Sequence, residues 1–228
     1  MKSHFFIKTG GFFYFMSEPI SYWEEIKRKL IHLSSLWMVA AIIVLPELFQ
    51  YGRWIACALF AVCLFITLVS EHDYANGGKY LGRLYGKLFR KMLRNDVKPG
   101  QWVVSGGAPV LAAALLVNLI FPYQIAAAAL AVMLTGDAAA ALVGRKFGKH
   151  KLVNNKSWEG TVSFVITAYF FLALTGICNQ MPMQFYLAGI LAVIAGAVVE
   201  LFTAQLKIDD NFSIPMTAGV VLYIGLLL

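Results

Sequence analysis

The chain has 228 residues, of which 60% are hydrophobic and 14% are charged, and its mean hydropathy is +0.71. An ordinary soluble domain carries roughly 25% charged residues, so this composition excludes a disordered chain, a coiled coil and a nucleic-acid-binding domain. The formal charge of +7 does not require a nucleic-acid partner, because the placement of the basic residues along the chain is explained by membrane topology.

The N-terminal segment is rich in aromatic residues and glycine, and it lacks the apolar core and the cleavage site of a signal peptide. We predict that residues 1–23 either lie on the membrane surface or precede a true start at Met16. Residues 24–228 are predicted to form a single transmembrane catalytic domain.

Seven apolar runs follow, each near the length of about 20 residues that a helix needs to cross a bilayer. Helices are expected, since backbone polar groups in hydrocarbon must be paired and the alternating pattern of a β-barrel is absent. Pro46, Pro122 and Pro182 fall in the predicted turns. We therefore predict an all-α polytopic membrane helix bundle, with helices at 30–48, 54–70, 103–120, 124–143, 160–177, 185–206 and 214–228.

The basic residues are distributed unevenly between the two sides of this bundle. One side receives the cluster at 27–29, the seven basic residues between the second and third helices, the five between the fourth and fifth, and Lys207. The other side carries only Arg53. The positive-inside rule places the first side in the cytoplasm. We expect a multi-pass protein of a bacterial inner membrane with a cytoplasmic active site.

The loop between the second and third helices has a helical pattern of its own. Its basic residues recur every three or four positions from Lys79 to Lys98, and apolar residues recur at the same period on another face. This pattern predicts a cytoplasmic amphipathic helix on an anionic leaflet. It would be either a platform for lipid or nucleotide near the active site or a plain anchor.

Two carboxylates lie within the apolar helices, where a charge is costly and therefore indicates function. Asp137 lies near the cytoplasmic end of the fourth helix, and Glu200 lies in the sixth. Asp137, Ala141 and Gly144 share one helix face, and several cations follow. The carboxylate could hold Mg²⁺ and the cations could neutralise the phosphates of a nucleoside triphosphate. The alternative is a small-residue packing face with ordinary topology-determining charges.

Three blocks of residues resemble the CTP-dependent lipid-alcohol kinases, which include dolichol, phytol and diacylglycerol kinases within the phosphatidate cytidylyltransferase superfamily. The blocks are, in chain order, Glu25-x-x-Arg28-Lys29-x-x-His32; Asp137-x-x-Ala140-x-x-x-Gly144-x-x-x-Gly148 with Lys156-Ser157-Trp158-Glu159-Gly160; and Glu200 with Asp209-Asp210-Asn211-x-x-x-Pro215. The resemblance covers about residues 24–220. The chain lacks the C-terminal cytidylyltransferase signature, which favours a kinase.

The resemblance, together with the cations that follow Asp137, implies roles for several residues. Asp137, Glu200 and His32 are expected to be catalytic, and the general base is left open among Glu200, His32 and the Asp209–Asp210 pair. Mg²⁺ is expected at Asp137, Asp209 and Asp210. CTP is expected to contact Arg28, Lys29, Gly144, Arg145, Gly148, Lys149, Lys156, Ser157, Glu159 and Asn211.

Structural roles compete with several of these assignments. Arg28 and Lys29 could pair with Glu24 and Glu25 along one helix, and His32 could be an ordinary histidine at a helix end. Other residues could serve as helix caps, first-turn acids or turn residues: Asn155, Ser157, Glu159, Asp209 and Asp210.

The resemblance predicts a kinase that transfers the terminal phosphate of CTP to the hydroxyl of a membrane lipid alcohol such as diacylglycerol, a polyprenol or phytol. One alternative is a phosphatidate cytidylyltransferase, which would release pyrophosphate. Another is a small transporter, which would place charges near the membrane midplane. The expected partners are CTP, the lipid alcohol and the bilayer. Small-residue faces at 126–131 and 192–197 leave a homodimer open.

Overall fold

The computed structural model describes residues 22–76, 82, 107–206 and 208–228, together with the backbone of 8–9 and 12–13. Two short antiparallel strands, Lys8–Thr9 (β1) and Phe12–Phe13 (β2), precede the helices. The other regular elements in the described ranges are helical, which confirms the predicted all-α membrane bundle. The predicted amphipathic helix between Lys79 and Lys98 lies outside the described residues, apart from Gly82.

The described part of the chain contains eight α-helices and one 3-10 turn, Val153–Asn155. Six segments are long and apolar enough to cross a membrane, with α1 and α2 counted as one span, and α4 is a shorter apolar helix. The helices are α1 (Tyr22–Ser34), α2 (Leu36–Leu48), α3 (Gly52–Ala75), α4 (Gly107–Ile120), α5 (Tyr123–Phe147), α6 (Trp158–Cys178), α7 (Met183–Leu206) and α8 (Asp210–Leu227).

Several helix ends differ from the prediction. The first span begins at Tyr22 rather than at residue 30, and it breaks at Ser35. The second extends to Ala75, because the helix continues through polar residues that a hydropathy pattern assigns to the loop. Pro46, which was predicted in a turn, lies inside the last turn of α2, where a proline removes only one helical hydrogen bond.

Helix α5 is the centre of the bundle, and it contacts α1, α2, α4, α6, α7 and α8. Of its apolar span 83% is buried inside the protein, against 17% to 44% for the other spans. Residues 125–138 are all buried, and many of them are alanines, whose small side chains let neighbouring helices approach closely. The chain therefore shields from lipid the helix that carries Asp137.

At one end of the bundle, Arg53 joins α3 to α4. Its Nε donates to the carbonyl of Asn118 at 2.8 Å, and a terminal nitrogen donates to those of Leu119 at 2.9 Å and Phe121 at 3.0 Å. The Asn118 amide donates back to the Arg53 carbonyl at 3.3 Å and to Cys57 Sγ at 3.2 Å. These bonds satisfy carbonyls that the end of a helix leaves without partners.

Candidate active site

Asp137 is the centre of a charged cluster at the other end of the bundle. Its side chain is buried near the C-terminal end of α5, and Lys29 of α1 donates to Asp137 Oδ2 at 2.5 Å. His32 Nε2 lies 3.5 Å from the same oxygen. The charges of Lys156 and Asp210 also act on Asp137. The fold thus brings four distant predicted site residues around one carboxylate.

A second buried carboxylate, Glu25, joins α1 to α5, although the sequence pattern predicted no role for it in the site. Arg28 donates to Glu25 Oε1 at 2.6 Å, and a terminal nitrogen of Arg145 lies 3.6 Å from Glu25 Oε2. The predicted alternative paired Arg28 and Lys29 with glutamates four residues earlier in the helix, whereas Arg28 pairs with Glu25, three residues earlier. Lys29 pairs with Asp137 instead.

Glu200 of α7 is the third buried carboxylate, with only 2% of its surface exposed. The Lys156 ammonium, which precedes α6, donates to Glu200 Oε1. The charges of Asp137 and Asp210 also act on Glu200. Two of the predicted catalytic carboxylates therefore each have a lysine as counter-ion, which is the arrangement that a buried charge requires.

A cavity of about 520 Å³ lies beside this cluster, between α5, the loop that follows it, and the start of α6. Pockets for small molecules usually measure roughly 300–1,000 Å³. Its charged lining includes the cations of Arg145, Lys151 and Lys156, which suit an anionic ligand such as a polyphosphate. The predicted site residues that line it are Gly144, Arg145, Lys156, Ser157 and Glu200.

Other residues line the cavity without having been predicted to do so. They are Ala140, Ala141, Lys151, Asn154, Asn155, Gly160 and Thr161. The Asn-Asn pair carried a turn signal, and Lys151 was counted only among the cations of its loop. A turn signal indicates where the chain bends but not which cavity the bend will face.

The glycines of the central motif let α5 and α6 pack closely. A Cβ on Gly160 would lie 2.9 Å from the Ala140 carbonyl oxygen, and one on Gly144 would lie 3.1 Å from Ser157 Oγ. Ser157 Oγ in turn accepts a hydrogen bond from Gly160 N at 3.2 Å and caps α6. The structure thus gives the capping role to Ser157 rather than to Asn155, which was the other predicted cap.

Six residues that were predicted to contact the nucleotide do not line the cavity, namely Arg28, Lys29, Gly148, Lys149, Glu159 and Asn211. Gly148 ends α5, and Lys149 is exposed in the loop that follows. Glu159 accepts a hydrogen bond from the His150 backbone N–H at 3.2 Å, and Glu159 Oε1 lies 2.7 Å from His150 Nδ1. Glu159 therefore stabilises the loop between α5 and α6 through its contacts with His150.

The three polar residues Asp209, Asp210 and Asn211 form the start of α8. Asp209 is the N-terminal cap, and its Oδ1 accepts from Asn211 N at 3.0 Å and from Asn211 Nδ2 at 2.8 Å. Asp210 Oδ1 also accepts from Asn211 N at 3.0 Å. Asp210 is half-buried and interacts with the charge of Asp137, whereas Asp209 is exposed. Asp209 nevertheless acts on the charged cluster, because its charge interacts with those of His32 and Asp210.

Among the described residues, no group of three acidic, histidine or cysteine side chains could hold a metal ion. Mg²⁺ is usually bound by one or two carboxylates together with substrate phosphates and water. The carboxylates of Asp137 and Asp210, whose charges interact, fit that mode of binding. They fit a metal that arrives with a nucleotide better than one held by the protein alone.

Comparison with known proteins gives a family and several relatives. Residues 1–209 match the model described as the cytidylyltransferase family. An uncharacterized protein of Rickettsia prowazekii is 28% identical over 198 residues, which are 85% of this chain and 90% of the relative. No solved structure gives a significant match.

Several relatives carry the names of lipid kinases, and two of them show the extent of the match. Phytol kinase 1 of Arabidopsis thaliana, a chloroplastic protein, is 29% identical over 125 residues, or 49% of this chain and 41% of the relative. CTP-dependent diacylglycerol kinase 1 of Schizosaccharomyces pombe is 28% identical over 153 residues, or 62% of this chain and 68% of the relative. This chain therefore matches less than half the length of the plant kinase.

Proposed function

Because this chain belongs to the cytidylyltransferase family and to its branch of CTP-dependent lipid kinases, we propose that it transfers the terminal phosphate of CTP to the hydroxyl of a membrane lipid alcohol. The observation that carries this proposal is the cationic cavity of about 520 Å³ beside the buried carboxylates. Diacylglycerol, a polyprenol and phytol are the acceptors that we consider, and the positive-inside pattern supports a cytoplasmic site.

The cations of the cavity would bind the phosphates of CTP. Arg145 and Lys151 would approach from opposite walls, and Lys156 would share its ammonium between Glu200 and a phosphate oxygen. Fixed positive charge stabilises the charge that develops during phosphoryl transfer. Holding donor and acceptor together would supply most of the remaining rate enhancement.

Asp137 and Asp210 are the carboxylates that would hold Mg²⁺ together with the phosphates. When bound, the ion would neutralise charge on the phosphate oxygens. The ammonium of Lys29 donates a hydrogen bond to the Asp137 carboxylate in this structure. It would therefore move to a nearby anion as the magnesium nucleotide enters. A phosphate oxygen of the nucleotide is such an anion.

His32 is the residue that we propose as general base. The carboxylates of Asp137 and Glu200 each accept a hydrogen bond from a lysine, whereas the buried Nε2 of His32 has no hydrogen-bond partner among the described residues. His32 Nε2 faces Asp137 Oδ2 at 3.5 Å, so Nδ1 would accept the proton. In the serine-protease triad the two ring nitrogens have the opposite roles.

The reaction would proceed in one step. The acceptor oxygen would attack the γ-phosphorus in line, and the bond from that phosphorus to the oxygen bridging the β-phosphate would break. His32 would take the hydroxyl proton, and CDP would leave with the electrons of the broken bond. The products would be CDP and a lipid phosphate.

Purified protein in lipid nanodiscs would test this function, with CTP labelled at the α- or the γ-phosphate supplied in parallel with Mg²⁺. The acceptors would be the three lipid alcohols and phosphatidic acid. Label that enters lipid only from the γ-phosphate, and is lost in Asp137→Asn, would support a kinase and name its acceptor. Label that enters only from the α-phosphate would show cytidylyltransfer, and no transfer would exclude all these acceptors.

A further inference from the structure

The loop between α5 and α6 is a short hairpin. Lys151 and Ser157 form an isolated antiparallel bridge at its base, and Leu152 N donates to the Lys156 carbonyl at 2.8 Å. The 3-10 turn Val153–Asn155 is its tip. The hairpin is therefore closed where it leaves α5 and enters α6, and its tip lies against a third helix.

That third helix is α7, and an amide pair joins the tip to it. Asn154 Nδ2 donates to the Leu201 carbonyl at 2.8 Å and to Gln205 Oε1 at 2.7 Å. Gln205 Nε2 lies 3.3 Å from Asn154 Oδ1 and donates back to it. We call this pair, Asn154 with Gln205, the tip clamp.

The backbone of the tip has an uncommon conformation. Asn154 has φ of 57° and Asn155 has φ of 58°, so two consecutive residues lie in the left-handed region. Asparagine tolerates this region better than most residues do, but a loop seldom adopts it twice in succession without outside support. Within the described residues, the hydrogen bonds of Asn154 to α7 supply such support.

The tip also forms part of the cavity wall. Asn154 and Asn155 line the cavity, as do Lys151 and Lys156 on the two strands of the hairpin. A shift of the tip would therefore move both lysines relative to Arg145 of α5, which also lines the cavity. Asn154 and Gln205 are exposed, and exposed hydrogen bonds contribute little to global stability, so a purely structural role explains this arrangement poorly.

We infer that the tip clamp is a positioning device that holds the lysine-bearing hairpin in place for the phosphates of the nucleotide. Asn154 and Gln205 would act through Lys151 and Lys156 and would not touch the reacting atoms. This inference rests on the proposed function, because it assigns the cavity to CTP. It predicts that Asn154 and Gln205 affect the affinity for the nucleotide rather than the rate of phosphoryl transfer.

Steady-state kinetics of Asn154→Asp and Gln205→Ala would test the inference. Asn154→Asp keeps the size of the side chain and its tolerance of positive φ, but it removes both amide donors. We expect the KM for CTP to rise roughly two- to tenfold in each variant, as for the loss of one or two hydrogen bonds, and any fall in kcat to be smaller than this rise. Adding Gln205→Lys to Asn154→Asp would replace the amide pair by an ion pair and should lower KM again.

Asn179→Asp is the matched control. Asn179 Nδ2 donates to the Thr175 carbonyl at 2.7 Å at the opposite end of the bundle. The substitution therefore removes the same type of hydrogen bond to a helix carbonyl, away from the cavity. We expect its KM for CTP to equal that of the unchanged protein.

Limited trypsin digestion gives a second readout that does not depend on activity. Lys151 is exposed, and cleavage after it should be faster in Asn154→Asp and Gln205→Ala than in the unchanged protein and in Asn179→Asp. Unchanged KM and cleavage rates in both clamp variants would overturn the inference, as would a fall in kcat at constant KM. If the unchanged protein transfers no phosphate, the proposed function fails, and the cleavage rates alone decide whether the clamp holds the hairpin.

Discussion

Asp137 and Lys29 form an ion pair in which both side chains are buried, with exposures of 9% and 6%. The two residues are 108 positions apart in the chain. Removing one partner of such a pair leaves an uncompensated charge, which costs about 3–5 kcal/mol. Removing both partners leaves no buried charge without a counter-ion. The effect of this pair on stability can therefore be measured separately from its effect on catalysis.

We expect Lys29→Met and Asp137→Asn each to lower the free energy of unfolding by about 3 kcal/mol. The double variant should recover most of that loss and still transfer no phosphate, because the carboxylate is absent. Thermal unfolding in detergent and label transfer from γ-labelled CTP measure the two effects. A double variant that is as unstable as the sum of the single variants would contradict the pairing.

The sequence pointed to single residues of this site better than to their contacts. Asp137 and Glu200 were identifiable because a carboxylate in an apolar helix needs a reason to be there. The pairing of Lys29 with Asp137 was not, since it depends on which face of α1 packs against α5. Glu25 was missed for the same reason, because its burial and its contact with Arg145 exist only after the helices assemble.

The close approach of α5 and α6 is an element-scale property that depends on Gly160. A Cβ there would lie 2.9 Å from the Ala140 carbonyl oxygen and 3.2 Å from Gly144 Cα. Because these are backbone atoms, the helices would have to separate. Gly196 of α7 offers a contrast, since a Cβ there would meet only side-chain atoms at 3.4 Å or more.

Gly160→Ala should therefore lower the free energy of unfolding by about 1–3 kcal/mol and raise the KM for CTP, since Gly160 also lines the cavity. Gly196→Ala should change stability by less than about 0.5 kcal/mol. Thermal unfolding of both variants, followed by kinetics, measures the difference. Equal destabilisation by the two substitutions would show that the close packing of α5 and α6 does not make Gly160 more sensitive to substitution than Gly196.

Hydropathy predicted the membrane helices but misplaced several of their ends. Helix α3 continues through Glu71, His72 and Asp73. Polar residues can extend a helix beyond its apolar segment, so hydropathy alone does not give the position of the helix end. The loop after α5 was predicted only as a loop. Its hairpin form and its contact with Gln205 depend on α7, which lies some 50 residues later in the chain and leaves no local signal.

At the scale of the whole molecule, the polar groups of the described residues are divided unequally between the two ends of the bundle. Asp137, Glu200, the cavity and the start of α8 lie at one end. The other end has the Arg53 contacts and a hydrogen bond of 3.1 Å from the Tyr123 hydroxyl to Glu47. The two ends therefore differ in polarity, and the positive-inside rule predicts that the cavity end faces the cytoplasm.

Cysteine labelling would test this orientation. In a variant in which Cys57, Cys63 and Cys178 are replaced by serine, we expect Lys151→Cys to react with a membrane-impermeant maleimide only in inside-out vesicles. Met183→Cys, which is exposed at the start of α7, should react only in right-side-out vesicles. The reverse pattern would place the cavity outside the cytoplasm.

The concentration of charge at one end of the bundle has a consequence for lipid asymmetry. If the proposed transfer takes place there, the acceptor hydroxyl is phosphorylated in the leaflet that borders the cavity. The product carries a charged headgroup, and moving charge through the hydrocarbon is costly, so the lipid phosphate would stay in the leaflet in which it forms. A bundle with one polar end would thus determine which monolayer receives its product.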